Sequence, residues 1–283
     1  METGIKKRVK ILTIWILIGG AFLFPWQTAC AGETTPLVER HTFAIGVDVS
    51  HFDNEEPNVR PGIDVEHEGS MYGVVGEYAY HNEIMMSASL DYSTGDPDYD
   101  GYTQFGVPMK ADVDAVVVEC RGLIGYDYVL GRNHVVTPFV GVGYRYWEND
   151  LKGDRGLTKE VEYWYSPVGI KTYSPLSGKW TWGASLEYDV FWDGEADTDV
   201  SGMPTFHFDS GYGARLSLRF GRELTANVAL FFEPYITYWD IDESDVELYA
   251  IPAGTGPNQY MVLGSIEPDN ETATYGLRVR LEF

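Results

Sequence analysis

Two His-x-Asp triplets, His51-Phe52-Asp53 and His207-Phe208-Asp209, are the residues best suited to acid–base chemistry in this chain. An imidazole oriented by a carboxylate can take a proton from water. No nucleophile motif accompanies either triplet, and in a chain with 43 acidic residues two such triplets come close to chance. A second pattern, Asp96-Pro97-Asp98-Tyr99-Asp100-Gly101, copies the start of a calcium loop, where alternate carboxylates converge on a hard cation. Its twelfth position is Val107 where the bidentate Glu should stand, so an acidic turn is the better reading. No resident cofactor is expected, only Ca2+ or Mg2+ held weakly at loops. The third set is larger. Glu77, Glu119, Glu187, Asp189 and Glu233 alternate with apolar neighbours, as do Arg121, Arg145, Arg215, Arg219, Arg278 and Arg280, and Asp48, Asp91 and Glu282 do the same. Whether these charges meet depends on the elements that carry them.

Those elements are strands, because the apolar residues recur every second position. Phe43, Ile45, Val47 and Val49 oppose Ala44, Gly46, Asp48 and Ser50 in the first of ten such segments. Others centre on Tyr72–Tyr80, Ile84–Tyr92, Val116–Tyr128, Val136–Tyr146, Trp182–Val190, Tyr212–Phe220, Val228–Tyr238 and Tyr275–Phe283, with an irregular sixth over residues 160–171. The connections alternate strictly between short and long. Short links fall around His81–Glu83, Leu130–His134, Ser174–Lys179 and Arg222–Ala226, and the last long one runs from about Asp240 to Thr272. Tight turns at one end and long loops at the other are the pattern of an antiparallel up-and-down transmembrane β-barrel, here of ten strands within a range of 8–12. Pro138, Pro167 and Pro234 fall inside proposed strands, where each deletes a ladder donor, and Val117 and Leu123 put apolar bulk on the charged wall.

The last segment, with Tyr275, Leu277, Val279, Leu281 and the terminal Phe283, resembles the C-terminal signal of Gram-negative outer-membrane β-barrel proteins. The resemblance implies insertion by the barrel-assembly machinery and contact with outer-membrane lipid and lipopolysaccharide. By pattern the chain is similar to small OmpA- or Opa-like barrels. The omptin proteases are also ten-stranded, with an acidic pair and an Asp–His pair at the extracellular mouth. Asp96 with Asp98 and His207 with Asp209 are similar in placement, but the order here is His-x-Asp and no surrounding omptin sequence is evident.

Residues 1–31 read as a cleaved signal peptide: Lys6, Lys7, Arg8 and Lys10, then apolar residues 11–24, then Ala29-Cys30-Ala31 as the cleavage site. Residues 32–283 then form a single outer-membrane barrel domain. Loss of the leader takes the net charge from −23 to −26 and leaves Cys120 as the only cysteine, so no intrachain disulfide can form. Such acidity excludes nucleic acid, whose affinity rests on cationic contacts to phosphate. With apolar faces toward lipid, the charged faces fill the lumen, and ten strands leave little more room than side chains occupy. Tyr80, Tyr92, Tyr128, Tyr146, Trp180, Trp192 and Tyr238 near segment ends suit interfacial girdles. The surplus acid is expected in long external loops, from Asp53, Glu55 and Glu56 to Asp269 and Glu271. The expected role is non-enzymatic, structural or in surface interaction. A narrow solute channel, an omptin-like rim hydrolase and a secreted soluble β-sandwich are the rival readings.

Overall fold

The computed structural model describes residues 40–60, 63–102, 107–130, 134–153, 156–200, 202–252 and 260–283. The leader and its cleavage point lie outside the described residues. The strands are β1 (Arg40–Arg60), β2 (Ile63–Asn82), β3 (Ile84–Gly95), β4 (Asp98–Tyr102) and β5 (Pro108–Tyr126). There follow β6 (Tyr128–Leu130), β7 (His134–Leu151), β8 (Thr158–Pro175), β9 (Trp180–Thr198) and β10 (Phe206–Phe208). The last five are β11 (Gly211–Glu223), β12 (Ala229–Ile241), β13 (Glu247–Pro252), β14 (Tyr260–Ser265) and β15 (Asn270–Glu282).

Ten of these close a ring in the order β1-β2-β3-β5-β7-β8-β9-β11-β12-β15, all neighbours antiparallel, with β15 returning to β1. Closure removes the unpaired edges that a sheet would otherwise present. The remaining strands extend the ring: β4 continues β3 between β2 and β5, β6 continues β5 along β7, and β10 adds to β9. A separate hairpin joins β13 to β14.

The alternation resolves into an apolar outside and a charged inside. Phe43, Ile45, Val47 and Val49 are 42–55% exposed, while Ala44, Asp48 and Ser50 between them are buried. Leu186, Leu216, Phe220, Ile236 and Leu277 continue the outer belt around the ring. A soluble barrel would place these groups the other way round. Girdle candidates Tyr92, Tyr128, Trp180 and Trp192 are exposed on this outer wall.

The expected long first and fourth loops are instead strand. β1 has 21 residues and β2 has 20, about twice the 9–11 that a tilted strand needs to cross a bilayer. Asp53, Glu55, Glu56, Glu66 and Glu68 pair across that hairpin, and Asp193, Glu195 and Asp197 lie in β9. The barrel wall therefore rises well past its apolar belt.

The prolines are tolerated by local gaps in pairing. β11 and β12 pair from Gly211 to Ser217 and again from Phe220, skipping the positions opposite Pro234 and Glu233. The β7–β8 ladder is likewise missing between Val140↔Val168 and Gly143↔Tyr165, around Pro167. Pro138 lies in the gap between Gly125↔Phe139 and Tyr128↔Val136, where β5 gives way to β6. The irregular sixth segment has its own cause: the register with β9 shifts between Trp164↔Asp193 and Tyr165↔Phe191, leaving Trp192 as the extra residue. Trp192 and Asp193 both face outward as a result, and the inward parity changes from odd to even residues.

Charge does not fill the whole interior. Toward the long-connection end the lumen holds an apolar cluster of Phe52, Met71, Val117, Trp147, Tyr163, Tyr165, Phe191, Phe206, Phe208, Trp239 and Ile241. Val117, out of place on a charged wall, belongs to this layer. Tyr165 lies over Gly143, where a Cβ would overlap its ring.

Candidate functional site

The inward positions of facing strands bring the predicted charges together. Arg215 on β11 is the hub. Its Nη1 and Nη2 donate to Glu119 at 2.8 and 2.5 Å, its Nε donates to Asp189 at 2.5 Å, and Glu187 lies 3.2 Å away. Glu119 belongs to β5, on the far side of the ring, so this bidentate pair spans the lumen. The Tyr165 hydroxyl also donates to Glu119, at 2.7 Å. Arg121 binds Glu187, again across the lumen. Arg278 reaches Asp48 and Asp91, both at 3.1 Å, and Arg280 reaches Glu77 at 2.6 Å. Glu233 stands 3.8 Å from each of these two arginines. At the short-turn end, Glu282 accepts from both Arg40 and Arg219 at 2.6 Å. Arg145 is different: it is buried opposite Glu119, which bonds Arg215 and Tyr165 instead.

Pairs of this kind roughly break even against apolar packing, while removal of one partner is costly. The intact network therefore adds little net stability, while loss of one member is costly. The apolar cluster lies next to it in the lumen, toward the long-connection end.

Nearer the long-connection end, one cation serves two carboxylates. Lys159 Nζ lies 2.5 Å from Glu56 on the opposite wall and also binds Glu267, with no more than 13% of any of the three side chains exposed. Burial alone would lower the Lys159 pKa, but Glu267 and Glu56 outweigh it and the ammonium is held above its ordinary value. Burial, with Glu56 nearby, pushes the Glu267 carboxyl up. His67 accepts from Asn149 Nδ2 at 3.4 Å and packs edge-on against Tyr99 and Trp147. Burial lowers its pKa to about 4, so it is neutral at pH 7. Sequence patterning missed this layer, because Lys159 falls just before the irregular sixth segment and Glu267 in a stretch that reads as loop.

The catalytic candidates do not assemble. His51 pairs with Glu68 on β2 at 3.0 Å rather than with Asp53. His207 is 3.9 Å from Glu195 on β9, and Asp209 is exposed. No hydrogen bond or ion pair joins the two triplets among the described residues. Asp98 and Asp100 lie on the outer face of β4 with Asp96 exposed before it, and Asp100 is bound by Lys110 at 2.5 Å. The acidic group whose oxygens do approach, within 4.8 Å of one another, is Asp53, Glu55 and Glu66 on the outer wall of β1 and β2. Sequence spacing hides it because β1–β2 pairing creates it.

Residues 31–233 match the family model described as Autotransporter beta-domain. No curated protein matches. Among solved structures, the outer membrane protease OmpT from Escherichia coli is similar with a TM-score of 0.61 at 8% identity, over 90% of this chain and 99% of that one. The translocator domain of autotransporter NalP from Neisseria meningitidis gives 0.37 at 10% identity, over 98% and 96% of the two chains. OprG from Pseudomonas aeruginosa gives 0.39 at 13%, over 86% and 96%. At 8% identity the first likeness is one of fold alone.

Proposed function

This chain belongs to the autotransporter β-domain family, and we propose that it is a non-enzymatic outer-membrane barrel whose closed lumen passes no solute and whose tall acidic end is its working surface. The observation carrying this reading is the Arg215–Glu119 bridge across the lumen, capped by the Tyr165, Trp239 and Phe191 layer. The apolar belt meets lipid, and the strand ending in Phe283 is what the assembly machinery reads. Lipopolysaccharide is the nearest surface partner, with divalent cations between its phosphates and the Asp53, Glu55 and Glu66 carboxylates.

The test is protein refolded in detergent, run cold and boiled on SDS gels, and then placed in planar bilayers. A heat-dependent band shift without steady conductance is the expected result. Steady conductance would refute the closed lumen. Peptide hydrolysis lost on His51→Ala or His207→Ala would refute the non-enzymatic reading.

A further inference from the structure

Arg145 projects inward from β7 between Glu119 of β5 and Tyr163 of β8, and it is 8% exposed. Arg121, Arg215, Arg219, Arg278 and Arg280 each hold a carboxylate. Arg145 makes no hydrogen bond or ion pair with any described residue. Its register neighbour Glu119 is bonded instead by Arg215, bidentately, and by the Tyr165 hydroxyl. A guanidinium offers five N–H donors and keeps its charge, so a buried one demands an acceptor.

The side chain lines two cavities in series. The one toward the short-turn end measures about 50 Å³ and is also lined by Asp48, Asp91, Glu119 and Tyr235. The carboxylates in this lining already have partners: Asp48 and Asp91 bind Arg278, and Glu119 binds Arg215. The second cavity, about 20 Å³, is also lined by Trp147, Lys159, Tyr163 and Glu267. Its lining carries two cations and one carboxylate. One water needs roughly 10–15 Å³ measured this way, so these spaces take a small ion with a few waters and exclude sugars and peptides.

We propose that Arg145 anchors an internal site for a small monovalent anion, a halide or a formate-sized carboxylate, held between the two cavities. Water beside the anion would donate to Asp91 Oδ1, which lacks a donor on the same wall.

Binding to the folded state alone raises its stability with ligand concentration. The experiment compares thermal unfolding of the refolded protein in sodium bromide, formate and gluconate at equal ionic strength, gluconate being too large to enter. The expected result is a midpoint that climbs with bromide or formate and not with gluconate, and that loses this dependence in Arg145→Gln. Equal anion dependence in both proteins would overturn the site. Bromide-grown crystals of the unaltered protein give a second decision that needs no variant: an anomalous peak within hydrogen-bond reach of the Arg145 guanidinium supports the site. Water density alone there overturns it.

Discussion

Replacing Arg215 with methionine keeps an unbranched apolar stem and removes the charged guanidinium. Glu119 and Asp189, with side-chain exposures of 5% and 0%, then lose their bonded cation, whereas Glu187 keeps Arg121. Stranding a buried charge in this way costs about 3–5 kcal/mol. That is roughly two to four powers of ten in the folding equilibrium, and on the order of 10 °C in midpoint for a chain of this size. Urea titration in detergent, followed by tryptophan emission, reads the first quantity, and the temperature of the SDS band shift reads the second. Adding Glu119→Gln and Asp189→Asn to Arg215→Met should recover most of the loss, because a neutral set of the same shape leaves no charge unpaired. A single variant within about 1 kcal/mol of the parent would mean that water screens these charges, and the account of a tightly paired buried network would fail.

Three further perturbations test other layers. His67 lies above the belt, with Glu66 and Glu68 beside it on the outer face. Its folded pKa of about 4 is below the unfolded 6.5, so its contribution is complete above pH 6.5 and is lost as pH falls toward 4. The loss amounts to about 3 kcal/mol, and His67→Gln should flatten the stability profile over that window. Glu83 turns the chain between β2 and β3 with φ of 60°, and its carbonyl accepts from the Asp127 amide at 2.7 Å. Glu83→Gly should leave stability unchanged or raise it by up to about 1 kcal/mol in urea titration, since only the side chain strains this turn. Gly143→Val drives a side chain into the Tyr165 ring and breaks its bond to Glu119. The expected cost is about 1–3 kcal/mol, with altered near-UV dichroism, and Gly143→Val should be far worse than the same change at Gly76, whose Cβ position is open.

Ten alternating segments were legible in the sequence because a lipid-facing strand needs an apolar residue at every second position, whatever else it does. The same rule placed all six lumen arginines inside. It failed where the physical constraint changed. Above the belt the outer wall meets water, so Asp53, Glu55, Glu66 and Glu68 mark the end of the lipid and not the end of β1 and β2. There the interior turns apolar, and Val117 stops being an exception. The extra residue Trp192 reverses inward parity in the upper half of β9, which no fixed period can follow. Pairing across the lumen is harder still to read, because period two says only that a side chain points inward. Arg145 and Arg215 are both inward arginines on central strands. Arg215 bonds Glu119 and Asp189, while Arg145, the register neighbour of Glu119, bonds no side chain among the described residues. That difference is decided by distances across the barrel, and it leaves Arg145 without an ion pair among the described residues.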